Sequence, residues 1–301
     1  MSQATLRITK ISGHAGSVPG ANMARDLKEK QVCKLVDTTT CIGCKACEVA
    51  CQEWNDLPFA STSFNDTYQT MPDTAWNFWN LIRFNEHERT NDDGSKMFMW
   101  LMRKDQCMHC ADPGCLEACP ADGAIVQYSN GIVDFQTEQC IGCGYCITGC
   151  PFNIPKLNPV THKVHKCTLC ADRVAGNLEP ACIKACPTGC LHFGTKEDML
   201  FQANQRTEQL KKHYDFKNAG VYDPPGVGGT SVIYVLHDIT DPELYGGLPK
   251  DPHVPWTVKL WKHPLKWIGN IAIIGGIVGT FMHYLRYGPK FIPEDNAKGG
   301  Q

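Results

Sequence analysis

The sequence has no surplus of positive charge. Its 29 Lys and Arg stand against 31 Asp and Glu, a formal net charge of −2. Proteins that bind nucleic acid through its phosphates usually carry a basic excess, so that partner class is set aside. Apolar residues are modest too, at 43% of the chain, a little under the ~45–50% of a typical globular protein. That suffices for a folded core and excludes many membrane spans. Residues 1–30 contain no apolar h-region, so an ordinary secretory signal is not expected. No nucleophilic triad, paired acid–base site or glycine-rich phosphate loop argues for chemistry of the chain's own. What is abundant is cysteine. Eighteen in 301 residues is about 6%, below the ~8–10% of a small disulfide scaffold. A chain of this length, about two domains by the usual prior, needs no staples to fold. The cysteines therefore point to metal.

Sixteen of them form four runs of four. The first is Cys41, Cys44, Cys47 and Cys51, and the third is Cys140, Cys143, Cys146 and Cys150. Both have the spacing C-x2-C-x2-C-x3-C, and the words CIGCKAC and CIGCGYC nearly repeat. The second run is Cys107, Cys110, Cys115 and Cys119. The fourth is Cys167, Cys170, Cys182 and Cys186. Pro120, Pro151 and Pro187 follow the last cysteine of runs two, three and four, where run one has Gln52.

This is the ligand spacing of bacterial [4Fe–4S] ferredoxins. A tight loop brings three thiolates to three corners of one cubane. The fourth points away, and in two-cluster ferredoxins it ligates the other cluster. Four runs thus make two exchanging pairs and four clusters. A disulfide framework gives no reason for such runs. Zinc would leave the third cysteine of each C-x2-C-x2-C unused. One degenerate run holding a smaller cluster is disfavoured because all sixteen positions are cysteine. Cys33 and Cys190 are left over and read as small buried hydrophobes.

Along the chain, residues 1–30 read as an arm laid on a neighbour or loose. A helix is expected over Ala46–Trp54, and loop over residues 55–75. The runs Trp76–Phe84 and Met97–Arg103 around Asn91–Lys96 predict a hairpin, with Met97, Met99 and Met102 as core. Ala124–Tyr128 and Ile132–Phe135 around Asn130-Gly131 predict another. Runs two and three are close enough to form one compact module, which leaves run one to pair with run four. Pairing of sequence neighbours, run two with run one, is the alternative. Glu197–Tyr214 reads as an amphipathic helix, Pro224–Gly229 as a loop and Ser231–Leu236 as a strand. Trp267–Leu285 is apolar all round, and about 20 such residues cross a bilayer. Trp256, Trp261 and Trp267 before it, with Tyr284 and Tyr287 at its end, form an aromatic belt. Gly275, Gly276 and Gly279 suit contact with another membrane helix. Flanking lysines and arginines balance, so charge does not orient the span. His283 reads as a packing or interfacial residue, with a haem ligand as the sharper option.

Segments 41–56, 102–125, 130–159, 166–174, 185–199 and 226–237 together resemble the iron–sulfur (beta) subunits of membrane-bound molybdenum oxidoreductases. The respiratory formate dehydrogenase branch is most similar. Related nitrate reductases carry a tryptophan at one ligand position, and dimethyl-sulfoxide-type subunits lack a membrane helix of their own. This chain departs from the family at Cys190, where alanine is usual. The resemblance implies an α+β fold with two bacterial-ferredoxin-like double-cluster modules, one split and one inserted, plus a C-terminal transmembrane helix. The expected boundaries are 1–91 for the arm and first half of the split module and 92–166 for the inserted module. The second half with an extra region takes 167–255, and the anchor and tail take 256–301. It also implies ligand sets: Cys41, Cys44, Cys47 and Cys186; Cys167, Cys170, Cys182 and Cys51; Cys107, Cys110, Cys115 and Cys150; Cys140, Cys143, Cys146 and Cys119. The partners implied are a molybdenum-pterin catalytic subunit, a cytochrome b subunit and the lipid bilayer. The location implied is the bacterial inner membrane, single-pass, with the globular part periplasmic. The chain would be a non-catalytic electron carrier, its split module toward the catalytic subunit and its inserted module toward the haem subunit, near the span. An equivalent subunit of a hydrogenase or sulfur-compound reductase is the rival within electron transfer.

Overall fold

A computed structural model describes residues 10–12, 31–59, 62, 67–90, 94–214 and 216–288. The chain forms two compact units, Met1–Val258 and Lys259–Gln301.

In the first unit the elements run β1 (Lys10–Ser12), β2 (Val32–Asp37), α1 (Ala46–Trp54), β3 (Leu81–Thr90) and β4 (Lys96–Asp105). Next come α2 (Gly114–Ala118), β5 (Ile125–Tyr128), β6 (Val133–Phe135), α3 (Tyr145–Thr148), β7 (Lys156–Leu157) and β8 (Val164–His165). The unit continues with α4 (Ala171–Ala175), α5 (Ala181–Lys184), β9 (Leu191–Thr195), α6 (Lys196–His213), β10 (Gly220–Tyr222) and β11 (Val232–Leu236).

The largest sheet has the order β10-β11-β2-β9, with β2 parallel to β11 and antiparallel to β9. All six residues of β2 are buried, as suits a central strand covered on both faces. Alternation of side chains divides them. Cys33 and Leu35 pack with Met199, Ala203 and Leu210 of α6, while Val32 and Val36 join the main core on the opposite face. Lys34 falls on that second face. The Thr195 hydroxyl caps α6 by accepting the Asp198 amide at 3.2 Å. Cys33 thus has the bland packing role its sequence context suggested.

Two helix pairs organise the cysteine runs. α1 (run one) packs on α5 (run four), and α2 (run two) packs on α3 (run three). The Trp54 indole ties α1 to α4 as well: Nε1 donates to Asp172 at 2.9 Å, and Arg173 lies 4.2 Å over the ring. At the α2–α3 crossing a Cβ on Gly114 would fall 2.3 Å from the Gly149 carbonyl oxygen. Only glycine permits that approach.

The structure revises three expectations. The arm contributes β1, which pairs antiparallel with β5 and extends the β5–β6 hairpin to three strands; the rest of residues 1–30 lies outside the described residues. The first hairpin is shifted, since β3 begins only at Leu81 and continues through polar residues to Thr90. The methionine stripe is not core throughout: Met102 is buried, Met99 half-buried and Met97 exposed, beside exposed Phe98 and Trp100. The distal half of the hairpin is held by backbone pairing and by a few outside contacts, Tyr68 edge-on to Trp100 and His87 with the Leu244 carbonyl at 2.9 Å.

The described part of the second unit is helical. A π-helical turn Trp261–Leu265 contains Pro264, which has no amide hydrogen to donate, and it leads into α7 (Lys266–Tyr287). The most apolar 18 residues of this 22-residue helix have a mean hydropathy of 1.5, and no residue of the helix is buried among the described residues. Gly275, Gly276 and Gly279 face open space, and His283 contacts the Tyr287 ring at 5.0 Å.

Candidate metal centres

The loops carrying the first two cysteines of each run share one backbone device. The residue before the second cysteine has positive φ in all four: Gly43 at 64°, His109 at 48°, Gly142 at 74° and Leu169 at 53°. In runs one and three, Lys45 and Gly144 repeat the left-handed turn immediately before α1 and α3. Left-handed residues alternating with ordinary ones turn successive amides inward, a concavity that suits anionic groups and many iron–sulfur sites. Leaving a bulky residue such as Leu169 in that region costs free energy, so the shared geometry is imposed by the site. Helix periodicity then places Cys47 and Cys51 one turn apart on α1.

Cys41, Cys44, Cys47 and Cys186 line one cavity, and Cys190 lines it with them. Cys51, Cys167, Cys170 and Cys182 line a second, together with Lys34. In the other half, the Cys110 thiol is pushed well up by burial and by Cys107, Cys150 and Cys115 nearby. Burial pushes Cys146 up to about 12, with Cys119, Cys140 and Cys143 adding repulsion. Each of these four groupings draws its cysteines from two different runs.

The electrostatics fit a cationic occupant. Burial raises Cys47 and Cys170 to about 12, so such thiols keep their protons at neutral pH unless a metal replaces them. Cys182 is one of two exceptions, with Cys41. Burial opposes ionisation of Cys182, but the Lys34 and Lys104 ammonium groups bring it below its ordinary value. Lys34 Nζ donates to Cys182 Sγ at 3.2 Å and to Gln106 Oε1 at 3.0 Å. Among the described residues no three Cys, His, Asp or Glu side chains converge as ligands of a single ion do. Thiols spread around a cavity wall suit a cubane, whose irons each take one.

Sequence reasoning missed several contributors. Cys190, expected as a plain buried hydrophobe, is buried, but its thiol hydrogen-bonds Cys41, lowering Cys41 and raising itself. Its position two residues after Thr188 carried no signal of this. The Pro224–Gly229 loop is a clamp. Ala111 N donates to Gly229 O at 2.9 Å, Asp112 N to Val227 O at 2.8 Å and Ser231 N to His109 O at 3.0 Å. It fixes run two from outside. Lys34, Lys104 and Lys166 are all almost fully buried.

Comparison with known proteins agrees with this site. Models of the family described as 4Fe-4S dicluster domain match residues 40–123 and 98–196. The family described as Formate dehydrogenase N, transmembrane, matches residues 254–296. The chain is 53% identical to the formate dehydrogenase iron-sulfur subunit of Haemophilus influenzae, over 97% of this chain and 91% of that protein. It is 53% identical to the formate dehydrogenase-O iron-sulfur subunit of Escherichia coli, over 96% and 93%. It is 51% identical to that organism's nitrate-inducible formate dehydrogenase iron-sulfur subunit, over 99% of both. Cysteine runs, cavities and relatives thus agree: the chain belongs to the formate dehydrogenase iron–sulfur subunits, with two dicluster domains holding four [4Fe–4S] clusters and a C-terminal membrane helix.

Proposed function

We propose that this chain carries electrons from a molybdenum-pterin subunit that oxidises formate to a cytochrome b subunit that reduces quinone. One observation carries the reading: four cysteine groupings, each assembled from two runs, within one folded unit. The ligand sets are Cys41, Cys44, Cys47 and Cys186; Cys51, Cys167, Cys170 and Cys182; Cys107, Cys110, Cys115 and Cys150; Cys119, Cys140, Cys143 and Cys146. A bound cluster supplies one-electron chemistry at a potential set by burial, charge and hydrogen bonds to its sulfurs.

The first two sets form a module split in sequence, over 1–91 and 167–255, and the last two a module inserted at 92–166. The packing of α1 on α5 and of α2 on α3 supports this nesting. The family models cut the chain differently, overlapping at 98–123. Cys44 and Cys143 are the two exposed cysteines. Exposed Ile42 and Val49 flank the first, and exposed Ile141 and Tyr145 the second. These apolar margins suit partner contact at the two ends of the wire, the split module toward the catalytic subunit and the inserted module toward the haem subunit. Resemblance to the respiratory branch supports an inner-membrane location with the globular unit on the periplasmic side.

Electron paramagnetic resonance on the anaerobically purified, detergent-solubilised complex tests this. Cluster signals are expected to develop on adding formate. Signals that develop with dithionite but never with formate would move the wire to a different catalytic partner.

A further inference from the structure

Lys104 lies on β4 opposite Ile82 and is 1% exposed. Its main chain is fixed, since the Tyr234 hydroxyl donates to its carbonyl at 2.8 Å. Among the described residues its ammonium has no hydrogen-bond partner. Lysines are almost never fully buried unless paired, and an unpaired buried charge is strongly destabilising. The carboxylate that could answer it, Glu48, already accepts from Thr70 Oγ1 at 2.6 Å and from the Ile82 amide at 2.5 Å.

What surrounds Lys104 is sulfur. It lines the cavity of Cys41, Cys44, Cys47 and Cys186 and also the cavity of Cys51, Cys167, Cys170 and Cys182. Its charge reaches Cys41 and Cys47 on one side and Cys51 and Cys182 on the other. The other buried lysines differ. Lys34 lines only the second cavity and donates to Cys182. Lys166 is satisfied by the carbonyls of Val133 at 2.5 Å and Cys167 at 2.9 Å.

We propose that Lys104 is a shared potential-setting residue, its ammonium placed between the two clusters of the split module and holding both potentials up together. The proposal rests on the cluster assignment above. A four-thiolate cluster is anionic and becomes more so on reduction. A fixed cation therefore favours the reduced form, and in a low-dielectric interior the effect is large over short distances. One cation between two clusters moves both in the same direction.

The test is redox potentiometry followed by electron paramagnetic resonance on the intact solubilised complex. Wild type is compared with Lys104→Met, Lys104→Arg and Lys34→Met. Lys104→Met is expected to lower two midpoint potentials and leave two in place. Lys104→Arg should keep all four near wild type, and Lys34→Met should lower chiefly one. If Lys104→Met does not assemble, Lys104→Gln, which removes the charge and keeps a donor, carries the same expectation. Four unmoved midpoints, or only one that moves, would overturn the proposal. A wild-type complex lacking four reducible clusters would instead overturn the cluster assignment.

Discussion

At the residue scale the site divides into ligands that spacing announces and supports that it does not. The cysteine runs are legible because clusters of this type draw thiolates from recurring runs, and the structure gathers the sixteen into four groupings. Lys104 is not legible. In Met102-Arg103-Lys104-Asp105 it reads as part of a solvated strand end, and its burial depends on β2, α1 and β11 closing around it from far away in sequence. Cys190 fails for the same reason, since its partner Cys41 is brought near only by the pairing of β2 with β9. For the ligands, the exposed Cys143 gives a sharp prediction. Cys143→Ser is expected to stop formate-to-quinone electron flow while sparing formate oxidation by an artificial acceptor at the large subunit. Parallel assays of the two activities check this, and undiminished quinone reduction would refute a serial wire.

At the element scale, helix crossings bring the runs together in pairs, α1 with α5 and α2 with α3. Elements with strong local signals were legible: Ala46–Trp54 is the α1 span, and Asn130-Gly131 is the turn of the second hairpin. β1 was hidden because three edge residues in a polar arm carry no periodicity. The far half of β3 was hidden because Glu86–Thr90 has no apolar face: beyond the backbone ladder it is held by polar contacts, His87 with the Leu244 carbonyl at 2.9 Å and Arg89 with Asp238 at 3.5 Å. The α2–α3 crossing is the most exposed to perturbation. A Cβ on Gly149 would lie 2.6 Å from the Gly114 carbonyl oxygen and 2.7 Å from Ala118 Cβ. Overpacking of this kind costs about 1–3 kcal/mol, and here it forces apart the helices that carry runs two and three. Gly149→Ala is therefore expected to lose the signals of one pair of clusters and keep the other pair. Iron content and paramagnetic spectra of the purified complex measure it, and a uniform loss across all four would refute independent modules.

At the scale of the whole molecule, the metal-binding unit and the helical unit have separate sources of stability. The first has its own core around β2 and β11, whose residues are buried throughout. The long helix of the second buries none of its residues among the described residues. A chain ending at Val258 is expected to keep its iron and its visible absorbance while moving from the membrane fraction to the aqueous one. Fractionation with metal analysis decides it, and loss of iron on truncation would show that the helix supports the clusters. The nesting of α2–α3 inside α1–α5 has a consequence for biosynthesis. A ribosome delivers runs two and three together, within one short stretch, and domains fold as units as they emerge. Run one, made first, has to wait until residues 167–186 have been synthesised before α5 can meet α1. Run one, the first of the four cysteine runs to be made, is thus the last to be enclosed.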